Sequence, residues 1–225
     1  MASPTYELAR IPDDVSYTDA AGLLCSALTA YQTINRKPNL NNVHTALIHG
    51  GSGAVGGIAV QLAKMHGLTV FTTCSTAKVD YVRKHLDVDA VIDYRKEDVR
   101  PVIEAHPPTV ALDCIGGKLM GECFRNMVFG GRWIMIATMG GAETTINLET
   151  VWRKRIRLIG STLRSRTPEE KSNILHALQR ELWPLFTAGK LVTNIHAVFP
   201  IQQVNEAHGV LRRCENIGKV VLTMK

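Results

Sequence analysis

Gly51, Gly53 and Gly56 fit the spacing G-x-G-x-x-G inside His49-Gly50-Gly51-Ser52-Gly53-Ala54-Val55-Gly56. That spacing serves phosphate binding rather than bond making. One glycine permits a tight turn, one lets the backbone approach a pyrophosphate, and one lets a helix pack closely on a strand. The free amides and the positive dipole end of the helix then face the phosphates. A glycine-rich turn can also be a plain packing device. Context favours the binding reading: apolar Ala46-Leu47-Ile48 precede the loop as a strand, and Ile58 to Lys64 follow it as a helix. Gly51, Ser52, Gly53, Ala54, Val55 and Gly56 are therefore the candidate cradle of a dinucleotide.

The next chemistry lies one strand on. In NAD-specific folds an acidic residue closes the second strand and accepts from the ribose 2′-hydroxyl. Here the strand ends Thr73-Cys74-Ser75-Thr76-Ala77-Lys78, with no acid before Asp80 in the following helix. Ser75 offers a hydroxyl and Lys78 a cation to a 2′-phosphate, which favours NADPH over NADH. On the residues alone an equal reading has Ser75 capping a helix and Lys78 solvated. The Tyr-x-x-x-Lys pair of a short-chain dehydrogenase is missing, because Tyr81 and Lys84 stand three apart. A methyltransferase with a similar glycine turn would usually want an acid after strand two.

These residues need elements to hold them. The pattern predicts a helix capped by Thr18 or Asp19 and running to Tyr31, then a turn over Pro38 to Asn42. Strands follow at Val43 to His49, Thr69 to Thr73, Ala90 to Tyr94, Thr109 to Asp113, Arg132 to Ile136 and Ile156 to Gly160. Helical patterns lie between most of them: from the loop to His66 with Gly67 as C-cap, Ala77 to Leu86, Glu97 to Ala105, and Leu119 to Met127. Six β-branched, apolar strands with helical crossovers imply an α/β fold, a Rossmann doubly wound parallel sheet. The ligand crevice is then expected at the carboxyl ends of the strands, where Cys114, Ile115, Met139, Gly140, Thr162 and Leu163 also fall. Beyond Pro168 come a long amphipathic helix bearing Ile174, Leu175, Leu178, Leu182 and Leu185, a strand at Ile195 to Phe199, a helix at Val204 to Arg212, and a last strand at Val220 to Leu222.

Composition sets outer bounds. At 225 residues, 45% hydrophobic and 20% charged, the chain can bury a real core. No apolar run reaches the roughly 18 residues needed to span a membrane, and the N-terminus lacks signal-peptide regions, so a cytoplasmic location is expected. The five cysteines are scattered with no C-x-x-C, and the eight histidines show no H-E-x-x-H, so no metal site is expected. A net charge of +6 suits an anionic partner. The basic cluster Arg153, Lys154, Arg155, Arg157, Arg164 and Arg166 lacks aromatic interleaving and a recognition motif. A phosphate-bearing cofactor explains the charge better than nucleic acid does.

In order and spacing, these motifs resemble the medium-chain dehydrogenase/reductase superfamily. Within it the chain is most similar to the zinc-independent NADPH:quinone oxidoreductases of the zeta-crystallin-like branch. The resemblance rests on Ala20-Ala21 with Leu28-Thr29-Ala30-Tyr31, on the glycine loop, and on Asp93-Tyr94-Arg95-Lys96-Glu97-Asp98. It continues through Leu112-Asp113-Cys114-Ile115-Gly116-Gly117, Gly131-Arg132-Trp133, Leu163-Arg164-Ser165-Arg166 and Asn216-Ile217-Gly218-Lys219-Val220-Val221-Leu222.

The resemblance implies that Ser75, Lys78 and Tyr94 hold the 2′-phosphate of NADPH. It implies that Thr29, Cys114, Ile115, Met139, Gly140, Thr162 and Leu163 surround the nicotinamide, and that Asn216 touches the cofactor. It also implies hydride transfer to a quinone or an α,β-unsaturated carbonyl without metal, and a homodimer made by pairing sixth strands. Family members carry an N-terminal GroES-like barrel that forms the other wall of the active site. Residues 1–17 are expected to be a linker or remnant of such a domain, 18–190 the NADPH-binding domain, and 191–225 the segment that normally completes the barrel. That tail is expected to find little to pack on. The chain would be either a piece of a longer protein or a naturally shortened one. Any proton donor is expected in the barrel, so no catalytic residue is assigned. Two other functions stay open: a non-catalytic NADPH-binding module, and RNA binding through the arginine cluster.

Overall fold

The structure, a computed structural model, describes residues 4, 8–36 and 44–224. The expected turn over Pro38 to Asn42 and the first residue of the Val43 strand lie outside them.

Helix α1 (Tyr17–Tyr31) begins two or three residues earlier than the pattern suggested. Ser16, not Thr18 or Asp19, is the N-cap, and its Oγ accepts the Asp19 amide at 3.0 Å. The central sheet then builds from β1 (Thr45–His49), α2 (Ala54–Met65), β2 (Thr69–Cys74), α3 (Val79–His85), β3 (Ala90–Asp93), α4 (Arg100–Ala105) and β4 (Val110–Asp113). It is completed by α5 (Gly117–Phe124), β5 (Arg132–Met135), α6 (Leu148–Arg153) and β6 (Arg157–Gly160). Strand order is β3-β2-β1-β4-β5-β6 and every pairing is parallel. The doubly wound sheet read from the sequence is the fold. Its order reverses between β1 and β4, which opens a crevice at their carboxyl ends.

Side chains alternate across each strand. Ala46 and Ile48 enter one core with Leu23 and Ala27 of α1, and Ala59 and Leu62 of α2. Leu47 points to the other face, where Ala111, Phe124 and Trp133 form a second core. Both faces of the sheet are thus covered, which is why its strands read as unbroken apolar runs.

Helix α6 was not anticipated. Asn147 caps it, accepting the Thr150 amide at 3.0 Å, yet none of its residues is buried, so no apolar stripe marks it. The long amphipathic pattern also divides. Helix α7 (Pro168–Glu181) opens with a capping box between Thr167 and Glu170, and α8 (Trp183–Thr187) restarts at Pro184, which has no amide to continue the ladder.

Strands β7 (Ile195–Pro200) and β8 (Lys219–Thr223) pair in parallel around α9 (Val204–Arg212). Where the sequence leaves the tail little to pack on, the structure packs it on α1 and α2. Gly22 of α1 is so close to Thr193 that an added Cβ would stand 2.9 Å from its Cγ2. Gln61 of α2 exchanges two hydrogen bonds with the Val192 backbone, at 3.0 and 2.9 Å. Residues Gly53 and Gly218 form an isolated parallel bridge. The tail leans on the first two helices and on the glycine loop.

Candidate functional site

The left-handed turn of the loop falls at Gly50, with φ of 77°, one residue before the G-x-G-x-x-G pattern. Gly56 does the packing: an added Cβ would stand 2.2 Å from the Gly50 carbonyl oxygen. Threonines of β2 fix the loop from beneath. The buried Thr72 hydroxyl donates to the Ile48 carbonyl at 2.6 Å and accepts the Gly51 amide at 3.0 Å. The Thr73 carbonyl accepts the Gly50 amide at 3.0 Å. Gly53 is the N-cap of α2 and brings no side chain to accept from the first turn. The amides at the start of α2 (Ala54, Val55, Gly56) are therefore left for an external acceptor. This uncapped helix start fits a pyrophosphate.

At the end of β2, Ser75 precedes a short 3₁₀ turn (Thr76–Lys78), but its hydroxyl makes no capping bond. Lys78 is half-buried, and its Nζ donates to the Asn216 carbonyl at 2.7 Å. Burial pushes its pKa below the usual lysine range, and nearby Arg95 pushes the same way against the thiols of Cys214 and Cys74. Tyr94 is exposed at 43%, with its amide donating to the Cys74 carbonyl at 3.3 Å. Ser75, Lys78, Tyr94 and Asn216 are thus gathered at the β2 and β3 ends. Asp93, the last residue of β3, is buried, with Oδ1 accepting the Arg95 amide at 3.1 Å. Burial works to raise its carboxyl pKa, but hydrogen bonds from Thr76 and the Arg95 amide outweigh that and hold it low.

Across the switch point, the chain beyond β4 and β5 stays paired. Met139 and Gly140 amides donate to the Cys114 and Ile115 carbonyls at 3.1 and 2.7 Å, and Gly116 bridges Gly141. The buried Asp113 carboxylate holds this ledge: Oδ1 accepts the Ile115 and Gly116 amides at 2.7 and 2.9 Å, and Oδ2 accepts Trp133 Nε1 at 3.0 Å. Cys114 Sγ donates to the His49 carbonyl at 3.3 Å, which ties the ledge to the glycine loop. Burial, reinforced by Asp113, pushes the Cys114 thiol up to about 11. Met139 is 78% exposed, and Thr162 is exposed beyond β6 beside half-buried Leu163. Thr29 stays on α1, its hydroxyl donating to the Cys25 carbonyl at 3.0 Å.

Sequence reasoning missed His49, Asp113 and Arg95. The His49 ring is buried, with Nδ1 3.0 Å from Thr73 Oγ1 and no partner for Nε2 among the described residues. Burial lowers its pKa while Asp113 pulls the other way. Polar side chains at strand ends carry no periodic signal, so only three-dimensional pairing exposes them.

Much of the basic cluster is structural. Lys154 Nζ donates to the Arg125 and Met127 carbonyls at 2.9 and 3.0 Å, and Arg166 binds Gln32 and Glu170. Arg153 pairs with Glu149. A cavity of about 160 Å³ lies against the glycine loop, between Gly51–Ala54, Gln61, Tyr81, His85 and the Val192–Asn194 turn. A larger one of about 410 Å³ lies between α4, α5 and residues 143–145. Its cations are matched there by carboxylates: Arg100 with Asp98, Lys118 with Glu122, and Arg125 with Glu104. Among the described residues, no helix is long and apolar enough to cross a membrane.

Residues 54–180 match the zinc-binding dehydrogenase family. The chain is 27% identical over 228 residues to a quinone oxidoreductase-like protein 2 homolog of Nematostella vectensis, covering 99% of this chain and 62% of that one. It is 26% identical to the quinone oxidoreductase of Homo sapiens, covering 96% of this chain and 65% of the human protein. Among solved structures, the CurF ER cyclopropanase of curacin A biosynthesis superposes with a TM-score of 0.85 at 26% identity, covering 99% of this chain and 67% of that one. The chain therefore spans less than two thirds of the length of either curated relative. The glycine loop, the reversed sheet order and these likenesses agree: the chain belongs to the zinc-binding dehydrogenase family, in the quinone oxidoreductase-like branch of the medium-chain dehydrogenase/reductases.

Proposed function

We propose that the crevice binds NADPH and that the protein is an oxidoreductase acting on a quinone or an α,β-unsaturated carbonyl. The observation that carries the cofactor choice is the end of β2. There the Ser75 hydroxyl is not spent on a cap, Lys78 closes the turn that Ser75 opens, and the Asp93 carboxylate is engaged by Thr76 and the Arg95 amide. In this reading Gly51 to Gly56 hold the pyrophosphate. Ser75, Lys78 and Tyr94 take the 2′-phosphate, with Arg95 adding positive charge. Cys114, Ile115, Met139, Gly140, Thr162, Leu163 and Thr29 line the nicotinamide end, and Asn216 borders the site. Bound NADPH would supply a hydride. The chain's own part is to fix the ledge through Asp113 and to shield the loop through the tail. The relatives named quinone oxidoreductase support the substrate class.

Zinc independence is part of the proposal. Among the described residues no group of three or more His, Cys, Asp or Glu side chains is placed to hold a metal. The proposed state is a cytoplasmic homodimer joined through β6. That strand is the last in the sheet, with Leu158 49% exposed and Phe129 and Trp152 exposed in the same part of the chain. The alternative is a module that binds NADPH without turnover.

One pair of assays separates these readings: NADPH fluorescence titration and oxidation of NADPH by a quinone. Binding with turnover supports the reductase. Binding without turnover leaves the module, and no binding removes both.

A further inference from the structure

The Asn216–Gly218 segment runs over the carboxyl ends of β1 and β2, beside the crevice, and is fastened at both. At the β2 end Lys78 Nζ donates to the Asn216 carbonyl at 2.7 Å. At the β1 end the Gly218 amide donates to the Ser52 carbonyl at 2.8 Å, and Gly218 bridges Gly53. The segment also holds its own shape. Asn216 Nδ2 donates to the Gly218 carbonyl at 3.0 Å, and the Lys219 amide donates to the Asn194 carbonyl at 2.8 Å. Gly218 has φ of 77° and lies so near Asn194 that an added Cβ would stand 2.1 Å from its carbonyl oxygen. The segment is therefore held between the Asn194 turn and the phosphate loop.

Lys78 is the hinge of this arrangement. It is half-buried, and among the described residues the groups whose charge acts on it are Cys214, Cys74 and Arg95, none of them a carboxylate. An ammonium has three N–H donors and one is occupied by Asn216. A half-buried cation without a counter-ion favours an anion.

We propose that Asn216–Gly218 is a strap closing the nucleotide site, and that Lys78 couples it to the ligand by binding Asn216 and a nucleotide 2′-phosphate at once. This rests on the NADPH reading above. A 2′-phosphate then tightens the strap, and the strap in turn holds the ammonium where that phosphate arrives. Coupling of this kind is reciprocal: whatever the phosphate adds to strap closure, closure adds to phosphate affinity. NADP⁺ and NAD⁺ differ only in that phosphate, so they separate the strap effect from simple occupancy of the loop.

The test is hydrogen–deuterium exchange of the full chain, free and with saturating NADP⁺ or NAD⁺, in wild type and Lys78→Met. Without ligand, Lys78→Met should speed exchange of residues 214–219 by roughly tenfold, the scale of one hydrogen bond from a charged donor. In wild type, NADP⁺ should slow that segment further than NAD⁺ does, and in Lys78→Met the two should act alike. Unchanged strap exchange in Lys78→Met overturns the fastening. Protection of residues 50–56 by NADP⁺ without added protection of the strap overturns the coupling alone. Protection of neither segment by either dinucleotide overturns the cofactor reading and the coupling with it. The wild-type comparison stands even if the variant folds poorly.

Discussion

Trp133 and Asp113 meet in the buried interior at the carboxyl end of β4, with the indole Nε1 donating to Asp113 Oδ2 at 3.0 Å. The same carboxylate holds the Ile115 and Gly116 amides, so one side chain joins the core to the ledge of the crevice. Asp113→Asn keeps the shape but turns an amide N–H toward the indole donor. Loss of about 1–3 kcal/mol is expected from the buried group left unmatched, measured by urea unfolding. Unchanged stability would show that the carboxylate is not holding the ledge.

Gly56 should tolerate no side chain. Its Cβ would overlap the Gly50 carbonyl at 2.2 Å, and backbone cannot step aside as a side-chain tip can. Gly56→Ala should cost about 1–3 kcal/mol by overpacking and weaken dinucleotide binding together with stability. Gly67→Ala provides a contrast. It has open space around it and strain only from φ of 72°, so its smaller loss should leave binding intact.

His49 gives the protein a pH dependence of known sign. Burial holds its pKa below the ordinary 6.5. Below that value the unfolded chain takes up a proton that the folded chain refuses, so stability falls as pH drops from 7 toward the folded pKa. The slope from this one group reaches about 1.4 kcal/mol per pH unit. Urea unfolding between pH 7 and 5 should show a shallower slope for His49→Phe than for wild type. Equal slopes would place the titrating group elsewhere.

Thiol reactivity should divide by exposure. Cys25 and Cys214 are exposed, while burial raises Cys74 and Cys114 to about 11 and Cys123 higher still. A disulfide reagent at pH 8 should modify Cys25 and Cys214 quickly and the other three only on unfolding. Fast modification of Cys114 would mean that the ledge opens in solution.

The β6 edge is expected to join two copies. Leu158→Lys puts a charge where an apolar edge would pair, and sedimentation should shift from dimer to monomer. A monomeric wild type at micromolar concentration would remove the dimer from the account.

The sheet was legible because its strands are buried on both faces and written as apolar runs. The glycine spacing was legible because close packing admits no substitute at Gly56. Helix α6 was not, since it buries nothing, and the break at Pro184 was hidden by an apolar stripe that continues across it. Spacing also put the tight turn inside the motif, whereas the positive φ falls at Gly50. The ends of β2 and β3 were read by residue type, and the structure gathers Ser75, Lys78 and Tyr94 there. The roles of His49, Asp113 and the Lys78 bond to Asn216 arise from pairings over long sequence separations, which no local pattern records.

Cofactor discrimination tests the central claim most directly. Fluorescence titration of wild type and Lys78→Ala with NADPH and NADH yields four dissociation constants. The account predicts that wild type binds NADPH at least about tenfold tighter, and that Lys78→Ala removes most of this preference by weakening NADPH, as loss of a charged hydrogen bond requires. Equal weakening of both cofactors, or tighter binding of NADH by wild type, would contradict it.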